Sequence, residues 1–308
     1  MLSRVAENIY WMARYVERAE DTARMVGVNT NLLLDLPKGI APGWRPLIDI
    51  TGCNETYEAS YGDYTERQVL KFLIADQDHG GSILSALRAG RENCRTIRDI
   101  VPREAWEQIN ELYLYGRDEL QQGMTKKGRH GYLKQIILRC QTITGMLAGT
   151  MNHDRGYEFL RMGRNMERAD MTTRIIDVRS ANLLTDTPDL SPFDNIQWVS
   201  VLKSLTGYQM YRQSMQVRVR RGEVLRFLFQ SEVFPRSLRH ALRNIEASVE
   251  HLPNNEAAQR ALHRTQRAVQ STQVQGLDTQ GLHRFVDEIQ LGLSDIHKEL
   301  ATAYFLPE

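Results

Sequence analysis

The 308-residue sequence predicts an all-α fold, a tandem-duplicated multi-helix bundle of about twelve helices with pseudo-two-fold halves. Three observations carry that expectation. Apolar residues recur at helical spacing along most of the chain, and no β-branched run alternates in polarity. The nine prolines fall in connections or at the ends of the periodic stretches, where a missing N–H costs nothing. A charged segment near the start returns 150 residues later.

Taken in order, the first stretch covers 3–35, and Leu36–Trp44, with Pro37 and Pro42, is the clearest loop. Helices are then expected over 47–60, 64–76, 81–98, 102–121 and 131–151, with Pro46 and Pro102 at helix starts. The second half is expected to give 154–184, 192–218, 220–231, 236–251, 255–272 and 278–304, punctuated by Pro188, Pro192, Pro235, Pro253 and Pro307. Two modules, 1–152 and 153–308, packed as one compact domain, are the economical division.

Composition bounds the function. Hydrophobic residues make up 42% and charged residues 25%, and the net charge is +1, so no global field draws the chain to nucleic acid or an anionic membrane. No apolar stretch reaches the roughly 18 residues of a membrane span. Arg4, Glu7 and Arg14 interrupt the N-terminal apolar residues, which argues against a secretory signal. Cys53, Cys94 and Cys140 are far apart and odd in number, as expected of reduced thiols in a cytoplasmic protein. Among the cations, 32 are Arg and 7 are Lys, which favours forked pairing with carboxylates or phosphates; a GC-rich genome would give the same bias.

The repeat is the most informative feature. Arg14–Val26 and Arg164–Ile176 align at an offset of 150 with Arg14/Arg164, Glu17/Glu167, Arg18/Arg168, Ala19/Ala169, Thr22/Thr172 and Arg24/Arg174 identical. Trp44 and Leu47 meet Trp198 and Val201 at 154. At 155, Thr51-Gly52 meets Thr206-Gly207, Val69–Leu73 meets Val224–Leu228, and Ser82, Ala86, Leu87 and Arg88 meet Ser237, Ala241, Leu242 and Arg243. One register held across separated segments points to a duplicated chain.

At about 100° per residue, Met12, Tyr15, Val16, Ala19, Ala23 and Val26 share one stripe, and Arg14, Glu17, Arg18, Asp21 and Arg24 the opposite one. Three readings are open: a solvated face, a buried salt-bridge lattice where the two motif helices meet, or a ligand site. In the last, arginine forks would clamp a carboxylate or phosphate, and Glu17 or Glu167 would position or deprotonate an amine. Between the copies Arg14, Glu17, Arg18 and Arg24 stay identical while Val16/Met166 and Met25/Ile175 change, so something beyond generic packing constrains those charges.

Glu7–Arg24 and Phe159–Arg174, with Ser82–Arg98, Glu104–Tyr113 and Phe234–Leu242, resemble the alpha-E domain family, bacterial all-helical proteins with a Glu-Arg motif. Asp78–Leu84 departs from the Asn-Pro-Ser-Ser that the family tends to carry before this helix. The resemblance implies partnership with circularly permuted ATP-grasp proteins, often beside transglutaminase-like peptidases, and so a context of amide-bond formation on small peptides. ATP and Mg would enter through such a partner.

Other constellations fail. No histidine has Glu three residues earlier, Asp76-x-x-His79 stands alone, and Cys-x-x-Cys pairs are absent, so no metal is expected. There is no Gly-x-x-x-x-Gly-Lys-Ser/Thr loop; Gly80-Gly81 before Ser82 reads first as a helix start. His153-Asp154 reads as a capping Asp, and the Arg212, Arg218, Arg220, Arg221 and Arg226 cluster as a solvated or carboxylate-paired face rather than a nucleic-acid site.

The resulting expectation is a cytoplasmic helical partner or regulatory subunit of an ATP-grasp peptide or amide ligase. It would bind an anionic peptide-like substrate, or the ligase, through Arg14, Arg18, Arg24, Arg164, Arg168 and Arg174, with no intrinsic cofactor, metal, nucleic acid or membrane. The alternative makes the chain itself catalytic, with Glu17 or Glu167 as general base.

Overall fold

A computed structural model describes residues 2–37, 43–181, 191–215 and 218–305, with backbone only at 181 and 191–194. Pro42, Pro188, Pro307 and most of the Leu36–Trp44 loop lie outside these residues. Among the described residues the chain forms fifteen α-helices, α1 to α15, and no strand.

In the first half α1 (Ser3–Asp35), α5 (Ile83–Thr96), α6 (Arg103–Asp118) and α8 (Arg129–Thr150) pack in a ring: α1 on α5, α5 on α6, α6 on α8 and α8 on α1. In the second, α9 (Arg155–Ala181), α13 (Leu238–Glu250), α14 (Glu256–Ser271) and α15 (Thr279–Tyr304) pack in the same order. The two rings meet where α1 crosses α9. Short helices fill the connections: α2 (Arg45–Thr51), α3 (Asn54–Ser60), α4 (Glu66–Leu70) and α7 (Leu120–Met124) in one half, α10 (Ser191–Ser204), α11 (Tyr208–Met215) and α12 (Arg221–Gln230) in the other. The connection between α8 and α9 is residues 151–154.

Fifteen helices replace the expected twelve because three expected helices break. The 47–60 stretch breaks after α2 at Gly52, in the left-handed region at φ 67°. The 192–218 stretch breaks after α10 at Thr206, left-handed at φ 57°, followed by Gly207. Both breaks fall on the repeated Thr-Gly pair. The 102–121 stretch divides into α6 and α7 at Glu119. The 64–76 stretch is α4 followed by a π-turn, Lys71–Ala75.

The crossing of α1 and α9 is close because of Gly163. A Cβ there would sit 2.2 Å from the carbonyl oxygen of Tyr10, a backbone atom that cannot swing aside. As a result α1 is enclosed, and its charged stripe is not a solvated face: Arg14, Glu17, Glu20, Asp21 and Arg24 are all buried. Isolated buried charges are expensive, so each needs partners within the protein.

Local caps also recur in register. Ser82 begins α5 by accepting from Ser85 N at 3.1 Å, and Ser237 begins α13 by accepting from His240 N at 3.2 Å. Each serine also donates back to a carbonyl six residues earlier, Asp76 and Ser231. Before each cap a ring stacks on a phenylalanine, His79 on Phe72 with centroids 3.9 Å apart and Phe234 on Phe227 at 4.6 Å. All of these pairs stand 155 residues apart.

Candidate functional site

The motif residues meet crosswise at the α1–α9 crossing. Glu167 on α9 accepts from Arg14 Nε of α1 at 2.7 Å and from both Nε and Nη2 of Arg18, the latter at 2.9 Å. Glu17 on α1 accepts from Arg168 Nε of α9 at 2.8 Å and pairs with Arg236 at 2.7 Å. Both glutamates are 1% exposed. Of the three sequence readings, the solvated face is thereby excluded for the glutamates, and a buried lattice is present.

Burial alone would raise the Glu167 carboxyl, but Arg14 and Arg18 outweigh it and hold its pKa at about 2. Glu17 is lowered in the same way, burial opposing Arg168 and Arg236. Carboxylates fixed as anions between guanidinium forks are poor proton acceptors at neutral pH.

Not every motif arginine joins the lattice. Arg24 pairs along its own helix with Glu20, and Arg174 with Asp170 at 2.8 Å, both at i, i+4 spacing and the first of them buried. Arg164 makes no ion pair among the described residues, its Nε is buried without a partner, and burial with neighbouring Arg168 lowers its pKa. Where Arg14 reaches Glu167 in one half, Arg236 reaches Glu17 in the other.

Sequence reasoning missed Arg236. Its guanidinium is buried at the end of the connection before α13, bonded to Glu17, to Glu20 at 2.9 Å and to Asp21. Burial and the neighbouring Glu17 and Glu20 raise Asp21 to about 7 against the pull of Arg236, and its Oδ2 finds no partner. A signal was available: at the 155 register Arg236 stands over Gly81.

That difference leaves a cavity in one half. About 420 Å³ opens between Arg14, Arg18, Glu167, Asp170 and Arg174, with His79, Gly80-Gly81, Thr51 and Cys53 across from them. The volume lies within the roughly 300–1,000 Å³ of small-molecule sites. Three guanidiniums face two carboxylates, one positive charge in excess. Met171, also in the wall, occupies the position of Asp21. A smaller space of about 190 Å³ lies against Arg14, Asp170 and Arg174 toward α15, beside His297, so the polar surface runs past both sides of these residues.

His79 is 6% exposed, burial lowers its pKa to about 4, and its Nε2 has no partner. The ring is therefore neutral at physiological pH, with one nitrogen able to accept. The Arg174 guanidinium lies on Gly52, where a Cβ would be 2.8 Å from Nη1.

The remaining candidates are structural. Asp154 Oδ1 accepts from Gly156 N at 2.8 Å, a helix cap, and His153 Nε2 sits 3.0 Å from Ala148 O. Arg226 lies 3.9 Å from Glu223, and Arg221 donates to Leu277 O. No group of three metal-ligating side chains occurs among the described residues, and no helix among them is long and apolar enough to cross a membrane.

Comparison with known proteins fits this geometry. The chain is 19% identical over 278 residues to uncharacterised proteins of Mycobacterium bovis and Mycobacterium tuberculosis, a match covering 83% of the chain. It spans about 30% of the length of those relatives. No solved structure matches. The family model for Alpha-E, described as a predicted alpha-helical domain with a conserved ER motif, matches residues 1–305, and Glu17-Arg18 and Glu167-Arg168 are Glu-Arg pairs at the heart of the crossing. The chain therefore belongs to the Alpha-E family.

Proposed function

We propose that this chain is a cytoplasmic, bacterial ligand-holding subunit of an amide-bond-forming ATP-grasp system, and that it binds a carboxylate-bearing, peptide-like molecule in the motif cavity. The observation that carries the reading is the excess guanidinium charge of that cavity, whose Arg18 and Arg174 keep partial exposure. Arginine forks are suited to carboxylate recognition, and a partly enclosed wall strengthens each hydrogen bond. ATP and Mg belong to the ligase in this reading; the chain has no phosphate-cradling loop of its own.

A subunit role fits better than catalysis by Glu17 or Glu167. Both are enclosed and locked as ion-paired anions, so a proton transfer would break the lattice that joins the halves. The recurrence of caps, stacked rings and packing order at one register supports descent of the two halves from a duplicated module.

The test is co-expression with the ATP-grasp protein of the same genome, followed by affinity purification and nucleotide-turnover assays. A complex at micromolar concentration whose amide product falls with Arg174→Met, while ATP turnover without acceptor persists, supports the reading. Absence of any complex at that concentration removes the ligase partnership.

A further inference from the structure

The two motif sites are built alike but finished differently: a side chain closes the second where the first keeps a cavity. In the second half, the residue before the cap of α13 is Arg236, and its guanidinium closes the space beside Glu17, Glu20 and Asp21. Its backbone is tied down, since the Arg236 carbonyl accepts from Thr172 Oγ1 at 2.9 Å. In the first half the same register gives Gly81 before Ser82, with Glu167 and Asp170 where Glu17 and Glu20 stand. Beyond the His79 ring, which lies 2.8 Å from where a Gly81 Cβ would stand, the volume an arginine side chain takes up in one half is open in the other.

Met171 in place of Asp21 and Gly81 in place of Arg236 remove one acid and one base together, so the open site keeps three guanidiniums against two carboxylates, an excess that faces a cavity rather than a side chain. A bare cation would meet only Asp170, already held by Arg174, and Glu167, already held twice. A bare anion that draws Arg174 onto itself takes it from Asp170, and the buried, unpartnered Nε2 of His79 donates or accepts according to its tautomer. A molecule carrying both an anionic and an N–H-bearing group satisfies both walls.

The geometry points to one open site per chain, the cavity between Gly80-Gly81 and α9, which takes an amino-acid-like zwitterion such as a free amino acid or a short peptide end, while Arg236 acts as a built-in occupant of the other site. Its carboxylate lies toward Arg18 and Arg174, and its ammonium toward Asp170 and His79 Nε2. This deepens the carboxylate-binding reading above and rests on it.

Titration calorimetry with glycylglycine, acetate, methylamine and inorganic phosphate as probes tests the idea on the full chain. Glycylglycine is expected to bind once per chain, at least about tenfold tighter than acetate, phosphate or methylamine. Rebuilding the plug with Gly81→Arg plus Met171→Asp, in which the His79 ring turns away from a Cβ that would otherwise stand 2.8 Å from it, is expected to keep the helical circular dichroism and weaken glycylglycine at least about tenfold. Two sites per wild-type chain, or unchanged binding by the folded plug variant, overturns the proposal. If the plug variant does not fold, Arg174→Met decides: about tenfold weaker glycylglycine binding supports the site, and unchanged binding overturns it. If acetate and phosphate bind as tightly as glycylglycine and all are lost in the plug variant, the zwitterion assignment fails while the carboxylate reading stands. If no probe binds up to about 10 mM, both fail.

Discussion

Replacing Glu167 by Gln is the sharpest perturbation of the crossing. It keeps the shape of a side chain that is 1% exposed but leaves Arg14 and Arg18 without their shared anion. Two independent routes give its size. The carboxyl stands at about 2 in the folded chain against 4.5 when free, a gap worth roughly 3 kcal/mol at 1.36 kcal/mol per pH unit. Breaking a buried ion pair from one side costs about 3–5 kcal/mol. An unfolding entropy of about 2.1 cal/mol/K per residue over 308 residues makes 1 kcal/mol worth about 1.5 °C, so Tm should fall by roughly 5–8 °C at pH 7. The sign with pH follows from the lowered pKa: the stabilisation is complete above 4.5 and lost as pH drops toward about 2. Differential scanning calorimetry of wild type and variant from pH 7 to pH 3 should show the gap narrowing below 4.5. A fall under about 1 °C at pH 7, or a gap that stays constant to pH 3, would refute the reasoning.

Three further outcomes follow from the geometry. Gly163→Ala should destabilise by at least about 1–3 kcal/mol in urea unfolding, because its Cβ would strike Tyr10 O; the same change at Gly149, where a Cβ meets nothing, should be silent or stabilising. Native thiol titration with a small aromatic disulfide should modify Cys53, which lines the cavity, while Cys94 (raised to about 12 by burial) and Cys140 (raised by burial and nearby Glu20) stay unreactive until unfolding. Ser82→Ala and Ser237→Ala should each cost about 1 kcal/mol in chemical denaturation, and a difference beyond a factor of about two would break the equivalence of the two caps.

Much of this architecture was written in residue patterns that depend on one helix at a time. Prolines 46 and 102 at helix starts, the apolar stripe of α1 and the i, i+4 pairs Glu20–Arg24 and Asp170–Arg174 are local and were legible. Helix breaks were harder. Gly52 and Thr206 interrupt periodicity by adopting left-handed backbone, which apolar spacing does not register. Identity of Arg14, Glu17, Arg18 and Arg24 with their counterparts did signal constraint, but not its form: a charged stripe looks the same whether it faces water or another helix. Gly163 is what decides, by letting α9 close onto α1. Arg236 was invisible for a different reason. Its partners lie more than 200 residues away, and only its standing over Gly81 in the repeat distinguishes it from a surface arginine.

Side-chain NMR would address the central claim most directly. In a chain labelled with ¹⁵N-arginine, the Nε–H resonances of Arg18 and Arg174 should move along one saturating curve as glycylglycine is added, while those of Arg24 and Arg236 stay fixed. Movement of Arg236 together with Arg18, or a spectrum unaffected at saturating probe, would contradict an account in which one crossed lattice holds one open and one filled site.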